Sequence, residues 1–241
     1  MKFTLTIALA LLASAAVAQE LRVLSGGAAK SLVDPLAASF RGGVVKVDYQ
    51  PMGRLVKSLE EGAEVDMVIV TEETLPGLER AGRVQRGAKP IARVGIGVAV
   101  HEKAPSPDIS TVESFKKALL AAKSIVYIDP KVGTSGKHVA EVLQRLGIAD
   151  QVNAKAKLGQ GGYIVEPVGR GEIELGIHQI SEILPVKGVK LVGPLPPALQ
   201  KYTTYVAVPV RPSRTVLDFI DHLTGPEARA RLAQAGYSTP E

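Results

Sequence analysis

The sequence has no cysteine and no tryptophan. Without thiols it can form neither a disulfide nor a thiolate metal site, so its stability in any compartment rests on buried apolar surface. Aromatics are scarce, with four Phe and six Tyr. Charge of one sign is not in great excess: 29 Lys+Arg face 24 Asp+Glu, for a formal net charge of +5. The surplus forms no basic block and is not interleaved with aromatics, which argues against nucleic-acid binding and leaves small anions as suitable partners. Catalytic signatures are missing as well. There is no HExxH and no G-x-S-x-G after a strand, which excludes a zinc hydrolase and an elbow-type serine hydrolase. SGGAAKS (25–31) lacks the glycine spacing of a phosphate loop, which excludes a nucleotide triphosphatase. No metal and no cofactor is expected.

Long apolar runs are confined to the beginning. MKFTLTIALALLASAAVA has one early lysine, Lys2, an apolar stretch from Leu5 to Leu12 and a small-residue pattern, Ala16-Val17-Ala18. This is the layout of a secretory signal peptide over residues 1–18, with an apolar core shorter than the ~20 residues a spanning helix needs. The mature chain is therefore expected to be exported to the periplasm, soluble and monomeric, without insertion into the membrane.

What is present is alternation. Strand-like runs at 21–26, 44–50, 65–71, 92–100 and 124–129 alternate with helix-periodic stretches, and 155–159, 174–180 and two runs between 189 and 210 continue the pattern. This predicts an α/β fold with mostly parallel sheets flanked by helices. Two Pro-rich passages, 101–111 and 193–203, read as chain crossings. They divide the mature chain into lobe 1 (19–100 plus 204–241) and lobe 2 (101–203), with a cleft between. Pro35 conflicts with its helical surroundings; either a helix starts there behind Asp34 or it bends. GGYIVEPVGRGEI (161–173) reads as a Gly-opened helix interrupted by Pro167.

Four strand-to-helix turns share one chemistry: Ser25-Gly26-Gly27-Ala28-Ala29-Lys30-Ser31, Gln50-Pro51-Met52-Gly53-Arg54, Gly133-Thr134-Ser135-Gly136-Lys137-His138 and Gln160-Gly161-Gly162-Tyr163. Each offers backbone N–H groups at a helix start, and most add a hydroxyl or a cation. Any single one is explained by ordinary capping. Four, two in each lobe, predict one anion site in the cleft. A few charged hydrogen bonds of about 1.5–3 kcal/mol each suffice for micromolar affinity.

The order LRVLSGGAAKSL, GRLVKSLEEGAEVDMVIVT, YIDPKVGTSGKHVAEVLQRLGI and VGRGEIELGIHQISEI resembles the periplasmic molybdate-binding protein family. The resemblance covers nearly the whole mature chain and implies a two-lobed, type II periplasmic-binding fold serving an ABC importer permease. Carried over, the family's first-turn serine falls near Ala28, the second-turn serine near Met52 or Gly53, the small third-turn residue at Ser135 and the binding tyrosine near Gln179. The backbone cradle is kept while the hydroxyl set for molybdate is lost. Lys30, Arg54, Lys137 and His138 at the turns would suit a di- or tricarboxylate.

With glutamine in place of tyrosine, in HQISE (178–182), the chain resembles a divergent branch that includes periplasmic aconitate isomerase. That reaction, an allylic proton shift, needs an acid/base group, for which His138 and His178 are the candidates, with Glu166 and Glu182 as carboxylate partners. A binding protein is the preferred reading and the isomerase the alternative. Asp66 and Glu174 are read as braces at strand ends.

Overall fold

The computed structural model of the protein describes residues 20–240, so the expected leader at 1–18 lies outside the described residues. β1 (Glu20–Gly26) passes through a 3-10 turn (Gly27–Ala29) into α1 (Lys30–Ser39), followed by β2 (Val44–Gln50), α2 (Met52–Glu60), β3 (Met67–Thr71), α3 (Leu75–Arg80) and the long β4 (Lys89–His101). Then come α4 (Val112–Ala121), β5 (Ile125–Ile128), α5 (Thr134–Arg145), α6 (Ala149–Asn153), β6 (Ala156–Gly159), α7 (Glu166–Gly169), β7 (Leu175–Gln179) and α8 (Ile180–Ile183). The chain ends with β8 (Val189–Pro194), β9 (Tyr202–Pro209), α9 (Arg214–Thr224) and α10 (Pro226–Arg231).

The strands follow the order β2-β1-β3-β9-β4-β7-β5-β6, with β8 also paired to β4. β1 is parallel to β2 and β3, and β5 is parallel to β6 and β7, as strands joined through helices should be. The sheet is nevertheless mixed, because β4 and β9 run against their neighbours. The reason lies in β4. Its first half, to Gly95, pairs with β9, and from Ile96 it pairs with β7 and β8.

The chain thus changes sheet inside β4, at Gly95–Ile96, and the passage 101–111 lies beyond that change. The second passage, after β8, does lead from one half of the sheet to the other. There the Gln200 side chain acts as a clip: its Oε1 accepts from the Ile96 amide at 3.0 Å and its Nε2 donates to the Ile96 carbonyl at 2.9 Å.

Each half has its own core. Leu24, Leu32, Leu36, Leu55, Met67, Ile69 and Phe219 pack around β1 and β3. Ile96, Phe115, Leu119, Ile125 and Leu143 fill one face of β5 and β7, and Ala99, Val126, Val165, Val168 and Ile183 the other. Burial on both faces explains the uninterrupted apolar runs MVIVT and IVYI. Asp66 accepts from the Arg22 amide at 2.8 Å, and Glu174 from the Lys123 amide at 2.6 Å, so both brace strand ends.

One local reading is narrowed and one changes. Pro35 sits inside α1, neither starting it nor ending it. Pro167 begins a helix where an interruption was expected: α7 starts at Glu166, and Gly161 and Gly162 lie in a loop at φ +130° and +69°. Proline is tolerated in a first helical turn, where its missing N–H would have had no partner.

Candidate functional site

All four turns reach one cavity. It is lined by Gly26, Gly27 and Ala28 from the first, Pro51 and Met52 from the second, Gly133, Thr134 and Ser135 from the third, and Gly161 and Gly162 from the fourth. Ile128, His178, Gln179, Glu182 and Tyr205 complete the wall. The 3-10 turn, α2 and α5 all begin without a side-chain cap. Of the helices away from the cavity, α4 and α9 are capped by Thr111 and Ser213, while α3, α6 and α10 are uncapped as well. Uncapped first-turn amides concentrate donor groups and the positive end of the helix dipole on the cavity.

Glycine is required at two of these positions for different reasons. A Cβ on Gly26 would stand 2.7 Å from Tyr205 Cε1 and 2.8 Å from Met52 Cε. One on Gly136 would stand 2.0 Å from the Ile128 carbonyl oxygen, so Gly136 seats α5 on β5 and does not line the cavity.

The wall is made of neutral donors and one acid–base pair. The Tyr205 hydroxyl donates to Gln179 Oε1 at 3.3 Å, and Gln179 Nε2 donates to Thr134 Oγ1 at 3.3 Å. Burial, and next the charge of Glu182, push the Tyr205 hydroxyl far above its ordinary value, so it stays protonated. Ser135 Oγ lies 3.3 Å from His178 Nδ1. His178 Nε2 stands 3.1 Å from Glu182 Oε2 but out of line, so it has no hydrogen-bond partner. The two side chains are 1% and 9% exposed, which makes them a buried pair at the cavity wall.

Several expected residues lie elsewhere. Lys30 pairs with Asp34 at 2.7 Å and lies over the Tyr49 ring, while Arg54 and Lys137 point to solvent. Among the described residues, no lysine or arginine lines the cavity. Gly53 is at the rim, its N–H held by the Val132 carbonyl at 3.1 Å across the cleft. His138 turns away: its Nε2 bonds the Leu199 carbonyl at 2.7 Å and anchors the second crossing. Ser25 is buried, its hydroxyl turned onto the Gly26 carbonyl. Tyr163 stays outside the lining, half-buried, and Glu166 pairs with Arg170 on the surface.

Tyr205 was missed. It reaches the cavity from β9 and takes Gln179 as its partner, and a tyrosine in a strand carries no signal of this in sequence. Ile128, at the end of β5, was also missed as a lining residue.

The cavity is small, about 30 Å³, room for a water or two, so a polyatomic guest requires the two halves to part. A larger groove, about 570 Å³, runs along the Pro-rich passages past Pro107, Ile109, Pro194 and Pro197. It gathers no comparable set of donors. Among the described residues no group of three or more His, Asp or Glu is arranged to hold a metal ion.

A family model described as bacterial extracellular solute-binding protein matches residues 21–238. An aconitate isomerase from a Pseudomonas species is 30% identical over 204 residues, spanning 80% of this chain and 77% of that one. The molybdate-binding protein ModA of Escherichia coli K12 is 26% identical over 230 residues, 91% of this chain and 89% of that one. The periplasmic molybdate-binding protein of Azotobacter vinelandii superimposes with a TM-score of 0.76 at 19% identity, covering 92% of this chain and 100% of that one.

Proposed function

The chain belongs to the bacterial extracellular solute-binding proteins and has their type II α/β fold, and on that premise we propose that it captures a small anion in the periplasm for an ABC importer. The lobes are the β1–β3 half, residues 20–95 with 202–240, and the β5–β7 half, residues 96–201. The carrying observation is that uncapped amides from both halves meet at one cavity. An anion bridging those amides would hold the halves together, with the β4 change-over and the Gln200 clip absorbing the rotation.

A di- or tricarboxylate is favoured over molybdate. Only the third turn supplies cavity hydroxyls among the turns, at Thr134 and Ser135, so the hydroxyl set that the molybdate resemblance implies is not assembled. A thermal-shift screen over molybdate, sulfate, phosphate, citrate, aconitate and tartrate tests this. A ligand at 100 times its Kd should stabilise by about 2.7 kcal/mol. Stabilisation by molybdate alone would remove the carboxylate preference.

The second reading is an aconitate isomerase-like activity, supported by the His178–Glu182 pair and by the Pseudomonas relative. In an allylic shift the proton leaves one carbon and returns at the far end of the three-carbon unit. His178 Nε2 and Glu182 Oε2 are the groups at the wall able to take it and give it back. Incubation with trans-aconitate separates the readings: formation of the cis isomer, abolished by His178→Ala, supports the enzyme, and no turnover leaves a binding protein.

A further inference from the structure

We infer that Glu182 makes the cavity selective for an anion carrying its own O–H group, such as a hydrogenphosphate or a hydroxycarboxylate, over an anion that only accepts hydrogen bonds. This rests on the anion-capture reading and names the ligand class within it.

The argument is an account of donors and acceptors. The turns offer backbone N–H groups that call for an acceptor. Glu182 is the opposite, an acidic side chain 9% exposed at the same wall, with Oε1 beside the backbone of Gly27. An ionised carboxylate only accepts, so a guest that meets the cavity-facing Glu182 must donate to it. The donors around it are committed elsewhere. The Tyr205 hydroxyl goes to Gln179, and Gln179 goes to Thr134. The Tyr237 hydroxyl and the Ser181 hydroxyl both go to the Ala28 carbonyl. No hydrogen bond joins Tyr163, in the loop before α7, to Glu182.

His178 Nε2 is 3.1 Å away and misaligned, itself buried without a partner. His178 Nε2, buried without a partner, and the Glu182 carboxylate beside it therefore both face the cavity open to a guest. A guest that is both an anion for the amides and a donor for Glu182 satisfies both sets. A guest with acceptors alone would set oxygen against oxygen.

Matched probes test this by titration calorimetry at pH 7.5. Hydrogenphosphate and sulfate share shape and charge but differ in one proton; malate and succinate differ in one hydroxyl. Wild-type protein is expected to bind the O–H member of at least one pair roughly 10- to 100-fold more tightly, as one charged hydrogen bond implies. Glu182→Gln, whose amide both donates and accepts, should bring that ratio below about threefold. Equal affinities within each pair in the wild type, or an undiminished ratio in Glu182→Gln, would overturn the inference. If the variant fails to fold, the wild-type ratios decide. If wild-type protein binds none of the four, this inference fails, while the anion reading stands or falls separately on the thermal-shift screen that also holds molybdate, citrate, aconitate and tartrate.

Discussion

Single glycines at the site divide sharply in what they protect. Gly136→Ala would push a methyl against the Ile128 carbonyl, a backbone atom that cannot swing aside. Overpacking of this kind costs about 1–3 kcal/mol, and a lowered denaturation midpoint would show it. Gly26→Ala meets the rim of the Tyr205 ring and the end of Met52, which can yield. Its main effect should be to part Tyr205 from Gln179, so anion affinity falls more than stability does. The turn cations give the opposite expectation. Alanine at Lys30, Arg54 or Lys137 should change affinity by less than about threefold, since exposed charges act weakly through solvent; a tenfold loss would place that side chain in the site. The positions of the turns were legible because glycine and hydroxyl residues at helix starts have few other uses. The direction of His138 was not legible, because it depends on a partner far along the chain, Leu199; that of Lys30 follows in part from Asp34, four residues on.

At the scale of elements, turn three is tied to turn four by Asp129, whose Oδ1 accepts from the Lys131 amide at 2.9 Å and Oδ2 from Gln160 Nε2 at 3.2 Å. The Lys131 amide first, then Gln160, hold its carboxyl below the ordinary value of 3.8. A depressed carboxyl contributes stability that is present above its unfolded value and lost as pH falls through the folded one. The tie should therefore be intact at neutral pH and weaken below about pH 4. Asp129→Asn should loosen it at all pH values, read out as faster amide exchange at Gly161 and Gly162. The alternation of strand and helix was most legible where strands such as β3, β5 and β7 are buried on both faces and so read as unbroken apolar runs. Pro167 misled because the same residue breaks a helix from inside and starts one from its first turn, and spacing alone does not distinguish the two.

For the whole molecule the decisive element is β4, which belongs to both halves of the sheet. Two cores joined through one continuous strand should melt together, so far-ultraviolet and tyrosine signals are expected to give coincident unfolding curves. Separated transitions would mean the halves are independent. Gln200→Ala would leave the Ile96 amide without its side-chain partner, at a cost of about 1–3 kcal/mol. The sequence pointed to proline as the mark of a crossing, yet the first change-over contains none. A strand that simply changes partners needs no special residue, and so leaves no trace in composition. The same continuity has a practical use. The Ile96 carbonyl accepts from Gln200 and from the Leu195 amide at once, at the point about which the halves turn. A carbon-13 label placed there would be a built-in gauge, its vibrational frequency tracking the swing of the molecule without any probe entering the cleft.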